Sequence, residues 1–376
     1  MNLSDVAVVD GHGHPLLADP WAVSAETFAA LFTEGRPGAM AGHVEHARYF
    51  QRALRDLGRR FGTSPTVPAL LERRRALGPD AGCAFLAHSR VAALLVDTGY
   101  PTDAMSLAGM RRLLPCPLHE IFRIETCAQQ LLAEELPFEE FLHAFRRELW
   151  AAGERCVAFK SIIAYRSGLA VQRWTNGDVV AAYRGALDRF RAEGTSRLTD
   201  KPLLDTLFEQ ALQVARATGR PLQIHAGFGD PDIDLPQANP LLLRPILEDA
   251  RWADVRLVVL HMAYPYYREA AFMTAVWPQV WLDLSLALPF LGAGITGPLI
   301  EVLSLAPASK LMYGSDVRGL PELFALAADW GRAALGEALD WLGQREGCSE
   351  EEARAIARRI LAENASALYR LDKAAA

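Results

Sequence analysis

Nowhere in the 376 residues is there an uninterrupted apolar run of about 18 or more, the length a helix needs to cross a bilayer, so no membrane association is expected. Neither sign of charge dominates either. Lys and Arg number 39 against 45 Asp and Glu, a net charge of -6 with no long run of one sign, which argues against a nucleic-acid-binding surface. Cysteine is scarce: Cys83, Cys116, Cys127, Cys156 and Cys348 are odd in number, scattered, and contain no C-x-x-C pair. They read as reduced thiols, and the opening Met1-Asn2-Leu3-Ser4-Asp5 lacks the basic region and apolar core of a signal peptide, so a cytoplasmic location is expected. Lysine is rarer still, with only Lys160, Lys201, Lys310 and Lys373.

Against those absences, 51% of the residues are hydrophobic, enough for one large domain or two ordinary ones. Eight short apolar runs recur with helical stretches between them: residues 6–10, 91–96, 120–124, 156–159, 221–224, 256–260, 280–284 and 310–313. They lack clean polar alternation, as parallel strands covered on both faces do. The segment from Pro202 to Thr218 carries apolar positions at Leu204, Leu207, Leu212 and Val214 and stops at Gly219, a helix with its C-terminal signal. Eight alternating units predict an α/β fold of the (β/α)8 TIM barrel type, with a doubly wound open sheet as the alternative.

The first run ends at Asp10 and is followed at once by Gly11-His12-Gly13-His14. Side chains two apart on an extended chain share a face, so His12 and His14 can present two imidazoles to one point. Two ordinary histidines in a turn would look the same, and the other strand ends decide between the readings. Glu125 follows the third run, Lys160 closes the fourth, His225 follows the fifth, His261 the sixth and Asp316 the eighth. In such a barrel the carboxyl ends of the strands share one mouth, where active sites lie. Five or six ligand-type residues in register predict a metal site rather than core packing.

These residues resemble the amidohydrolase superfamily of metal-dependent barrel hydrolases, whose pattern is H-x-H on strand one, Lys or Glu on strand four, His on strands five and six, and Asp on strand eight. His12, His14, Lys160, His225, His261 and Asp316 fill those places in order, and the resemblance covers nearly the whole chain. Phe159-Lys160-Ser161 through Gly168-Leu169 and Tyr313-Gly314-Ser315-Asp316 are most similar to the amidohydrolase-2 branch, including the domain fused to glutamine-synthetase-like proteins. The resemblance implies one or two divalent ions, zinc foremost, and hydrolysis of an amide-type C–N bond in a small carboxylated substrate of γ-glutamyl-like kind. A mononuclear decarboxylase of an unsaturated or aromatic acid is the alternative enzyme, and a non-catalytic binding barrel the alternative from another class.

Within that chemistry Asp316 would ligate the ion and carry the proton from water to the leaving group, while His261 would complete a second ion site or polarise the substrate carbonyl. A protonated ammonium has no lone pair, so Lys160 binds an ion only if modified. In related binuclear enzymes the equivalent lysine is carboxylated; the other reading leaves Lys160 as a cation facing substrate. Tyr165 and Arg166 are candidate substrate contacts, Arg166 as a carboxylate clamp or as a surface ion pair. Arg318 and Glu322 would line the mouth or begin the last barrel helix. Glu125 would be a ligand, a partner of a ligating histidine, or a paired core acid. The expected partner is a small molecule, with a homodimer as the assembly considered.

The segment 15–90 is too long for a simple loop and reads as a helical insertion that lids the mouth of a single domain covering residues 1–376. Ser349 with Glu352 three residues on forms a capping box that opens a C-terminal helix continuing to about Leu371, and the final Ala374-Ala375-Ala376 is expected to be disordered.

Overall fold

The eight apolar runs become eight parallel strands: β1 (Val8–Gly13), β2 (Val91–Asp97), β3 (Leu118–Arg123), β4 (Ala158–Ser161), β5 (Leu222–Ile224), β6 (Leu257–Val259), β7 (Val280–Asp283) and β8 (Leu311–Met312). They form one sheet in the order β1 to β8, with helices between successive strands. Just past β8 the sheet returns to its start, where the Gly11 amide donates to the Tyr313 carbonyl at 3.0 Å. This computed structural model, which describes residues 1–36 and 38–371, is the (β/α)8 TIM barrel. The three closing alanines lie outside the described residues.

Strand starts are where the sequence pattern and the ladder part company. The Val6 amide is spent in a turn on the Leu3 carbonyl, so pairing begins at Val8 and runs through Gly13, which places His12 inside β1 rather than beyond it. Cys156 does not lie in a strand. Its amide caps the preceding helix on the Ala152 carbonyl at 2.8 Å, and β4 starts two residues later. Every residue of β1, β4, β5 and β6 is buried, which explains the unbroken apolar runs.

By contact density the chain separates into two units. The first comprises Met1–His119, Gly229–Pro231 and Asp283–Ala367; the second comprises Glu120–Phe228, Asp232–Leu282 and the residues from Leu368 on. In the first unit, the segment between β1 and β2 holds four helices: α1 (Ala25–Ala30), α2 (Arg48–Phe61), α3 (Val67–Leu77) and α4 (Pro79–His88). On α2, Tyr49, Phe50, Ala53, Leu57 and Phe61 fall three to four residues apart and are buried. Phe50 meets Phe28 and Phe32 at ring-centroid distances of 6.1 and 5.2 Å, and Tyr49 meets Phe290 and Trp330 at 4.7 and 5.8 Å.

In the second unit the helix Lys201–Thr218 buries Leu204, Leu207, Leu212 and Val214 and ends at Gly219 in the left-handed region, φ 65°. The capping box at Ser349 and Glu352 is formed in the first unit; from it the chain runs helical through Arg358, a π-type turn over Arg359–Glu363, and Asn364–Tyr369. Ala287–Leu305 has a mean hydropathy of 1.5, long and apolar enough to cross a membrane by length and composition alone. Gly, Thr and Pro residues together with Glu301 and Ser304 interrupt it, so it contains no uninterrupted apolar run of that length. It is folded as two helices, Ala287–Leu291 and Thr296–Leu305, joined through Gly292–Ile295.

Candidate metal centre

In the first unit the site is built on the junction of β1 with the loop after β8. The Ser315 and Asp316 amides both donate to the His12 carbonyl, at 3.2 and 2.8 Å. Beneath them Asp10 accepts from the Ser315 amide at 2.8 Å, and the Ser315 hydroxyl accepts from the Val317 amide at 3.0 Å. Gly314 has no alternative at its position, because a Cβ there would collide with the Asp283 carboxylate. The outcome is a tight turn that sets Asp316 at φ 59°. This left-handed backbone is costly for a non-glycine residue, and such strain concentrates at functional sites.

The turn aims Asp316 at both histidines of the H-x-H pair. Its Oδ1 lies 3.1 Å from His12 Nε2 and 3.2 Å from His14 Nε2. His12 is fully buried, His14 nearly so, and His14 Nδ1 is buried with no hydrogen-bond partner. Asp97, at the end of β2, joins them: one ligand atom each from His12, His14 and Asp97 lie within 4.8 Å of one another. The two imidazoles, with the carboxylates of Asp316 and Asp97 each close to them, offer a donor set suited to a divalent cation. Asp10 below them has its carboxyl pushed up to about 7 by burial, with the charge of Asp283 adding to the effect.

Asp97 was missed in the sequence, although Asp97-Thr98-Gly99 directly after a six-residue apolar run was the available signal. Glu34 was missed too, and nothing local marks it. It stands in the insertion, near-buried, with Arg318 Nη1 3.5 Å from its Oε1. The Arg318 guanidinium also donates to the Ala30 and Thr33 carbonyls at 3.4 and 3.2 Å, so this arginine ties the end of α1 to the loop after β8.

The Glu34 carboxyl is pushed up to about 7, by burial first and then by the charges of Asp316 and Asp230, with a side-chain hydrogen bond to Asp230; Arg318 opposes the shift. Burial outweighs the ion pair because the Arg318 contact is long, at 3.5 Å, and the guanidinium is shared with the Ala30 and Thr33 carbonyls. A folded carboxyl that keeps its proton above the ordinary 4.5 stabilises the fold at low pH, and this contribution is lost as pH rises through about 7. The metal-free protein should therefore melt at progressively lower temperature between pH 5 and 8, and Glu34→Gln should flatten that slope; an unchanged slope would mean that Glu34 titrates normally.

In the second unit β4 carries Lys160, buried to 1% exposure. The His225 and His261 rings face each other with centroids 4.5 Å apart, and Tyr165 packs on His225 at 4.3 Å. His225 Nε2 sits 3.2 Å from the Phe228 carbonyl, and since a carbonyl only accepts, this nitrogen is the donor of that contact. His261, Met262 and Ala263 all have positive φ, at 65°, 53° and 48°. Gly227 meets this strained corner: a Cβ at Gly227 would collide with the Ala263 and Tyr264 backbone, so the glycine is a packing requirement.

Glu125 begins the helix Ile124–Leu132 and is buried, accepting from the Ser161 hydroxyl at 2.6 Å through Oε1, while Oε2 has no partner. Burial raises its pKa above the ordinary carboxyl value. Arg166 lies 3.6 Å from Asp232, which also holds Arg197. Of the acids after His225, Asp232 and Asp234 are exposed, Asp232 being the one paired with Arg166 and Arg197.

Comparison with known proteins agrees with this architecture. A model of the amidohydrolase family matches residues 144–371. Protein fluG of Emericella nidulans is 35% identical over 399 residues, covering 97% of this chain and 46% of the relative, so the chain spans about half the length of the curated relative it matches. A protein described as a metal-dependent hydrolase from Lactobacillus casei superposes with a TM-score of 0.87 at 27% identity, over 100% of this chain and 98% of that one. Uronate isomerase from Thermotoga maritima superposes with a TM-score of 0.71 at 14% identity, over 97% and 95%, a likeness of fold alone.

Proposed function

This chain belongs to the amidohydrolase family, and from that premise we propose that it is a metal-dependent hydrolase cleaving an amide-type C–N bond in a small carboxylated substrate, γ-glutamyl amides being the first class to try. The observation that supports this most is the placement of Asp316 Oδ1 within 3.2 Å of both His12 Nε2 and His14 Nε2, on a left-handed backbone at φ 59°. His12, His14 and Asp316 would hold an ion, with Asp97 a further donor from β2. Lys160, His225 and His261 are assigned to the same chemistry by their places at the ends of β4, β5 and β6. A bound divalent ion, zinc foremost, supplies Lewis acidity and brings the pKa of water down to about 7.

The rest of the chemistry belongs to the chain's own groups. Asp316 carries a proton from water to the departing nitrogen, the step that a positioned carboxylate performs in general acid–base catalysis. Asp10 holds the Ser315 amide and so keeps Asp316 aimed. The five cysteines are free, which fits the cytoplasmic placement that forms part of this proposal.

The test is metal content per chain after purification without chelator, followed by product analysis. One or two equivalents of zinc, with amine released from a γ-glutamyl amide and lost on chelation, is the expected result. A folded protein without metal overturns the proposal, and carbon dioxide release from an unsaturated or aromatic acid would make the chain a decarboxylase instead.

A further inference from the structure

We propose that the Arg166–Ser167 turn after β4 is a carboxylate-binding subsite, in which the Arg166 Nε–H and the Ser167 hydroxyl receive the oxygens of a substrate carboxylate. This deepens the reading above and rests on it for the identity of the occupant. The carrying observation is a pair of unmet donors on consecutive residues: Arg166 Nε and Ser167 Oγ are both buried and neither has a hydrogen-bond partner. The Arg166 side chain is only 12% exposed. A buried polar atom without a partner is costly, and two side by side ask for a ligand.

The guanidinium is pre-set for such a ligand. Its Nη1 faces Asp232 at 3.6 Å, and Asp232 is itself held by Arg197, so one end of the group is fixed while the Nε edge is left over. That edge is the side-on fork with which arginine grips a planar carboxylate. The backbone is equally fixed. The amides of Arg166, Ser167 and Gly168 all donate to the Ile163 carbonyl, at 2.9, 3.0 and 3.1 Å. Gly168, at φ 82°, lies against Gln237, whose carbonyl accepts from the Leu169 amide at 2.9 Å.

Charge points the same way. The Arg166 guanidinium is surrounded by the positive charges of Arg197 and Arg123 as well as the carboxyls of Glu125 and Asp232, so carboxylates are not its sole neighbours. One fork edge and one hydroxyl match a planar monoanion better than a phosphate, which brings more oxygens and more charge. Tyr165, the neighbour of Arg166, packs on His225, so a substrate anchored by its carboxylate has its remainder beside a strand-end histidine.

Glutarate is the probe, titrated calorimetrically into the full chain with and without metal, with glutaramide as the uncharged control. Wild-type protein should bind glutarate and not glutaramide, and stripping the metal should change the affinity by no more than a few-fold. Ser167→Ala should weaken binding about fivefold and Arg166→Lys, which keeps the charge and loses the fork, at least tenfold. Melting curves confirm that each variant is folded; Ser167→Ala decides the matter if the arginine variant is not. No glutarate binding, wild-type affinity in Ser167→Ala and in any folded Arg166→Lys, or binding that vanishes with the metal overturns the subsite, the last by putting the carboxylate on the ion. If the protein proves not to carry metal, the hydrolase proposal falls while the glutarate titration still decides this one.

Discussion

Asp316→Asn is expected to lower turnover by about a thousandfold, within the range that a positioned proton carrier contributes. The substitution is close to isosteric, and asparagine tolerates the left-handed backbone, so the φ of 59° and the two amide bonds to the His12 carbonyl should survive. What is lost is chemical: an amide neither takes up the proton nor supplies the ligand's negative charge. The check is kcat together with metal content on the same sample. Metal retained and kcat within tenfold of wild type would remove Asp316 from the proton path. Metal lost along with activity would instead make its contribution that of a ligand, and rescue by a large excess of zinc would separate the two.

Glu322→Ala is expected to destabilise the fold by roughly 3–5 kcal/mol, the cost of stranding one member of a buried ion pair. Glu322 stands in the first turn of the helix Pro321–Glu346 with its side chain fully buried, and its partner is Arg74 of α3, itself 2% exposed. Arg74 Nη2 donates to Glu322 Oε2 at 3.2 Å, Nη1 donates to the Pro20 carbonyl at 2.9 Å, and the guanidinium lies 5.1 Å from the centre of the Trp21 ring. Removing the carboxylate leaves a guanidinium with one carbonyl and an aromatic face in a place water does not reach. Chemical denaturation measures the loss; a change under about 1 kcal/mol would mean that solvent reaches Arg74. Replacing both partners with leucine or methionine should recover much of the loss, because the pair's own desolvation cost goes with it.

Glu322 also shows where sequence reading stops. Its two expected places were the mouth or the start of a helix; it does start the helix, but facing an arginine 248 residues away in the chain. Arg318 is similar. Its position two residues past Asp316 invited a substrate role, and the fold spends its donors on Ala30, Thr33 and Glu34. Neither partnership leaves a trace in local pattern, since each joins segments whose separation in sequence carries no periodicity.

What the sequence determined by itself is whatever short-range geometry encodes. Alternation two apart placed His12 and His14 on one face, apolar runs of buried parallel strands gave the eight-fold repeat, and the residue after each run marked the strand ends. Only the tertiary structure decided the rest: that Asp97 joins His12 and His14, that burial pushes the Glu34 carboxyl up beside Asp230, that Gly227 is demanded by the backbone of Ala263, and that Arg166 and Ser167 are left with unmet donors. The reason is physical. Burial, charge pairing and close backbone approach are properties of the folded neighbourhood, and that neighbourhood is assembled from residues far apart in the chain.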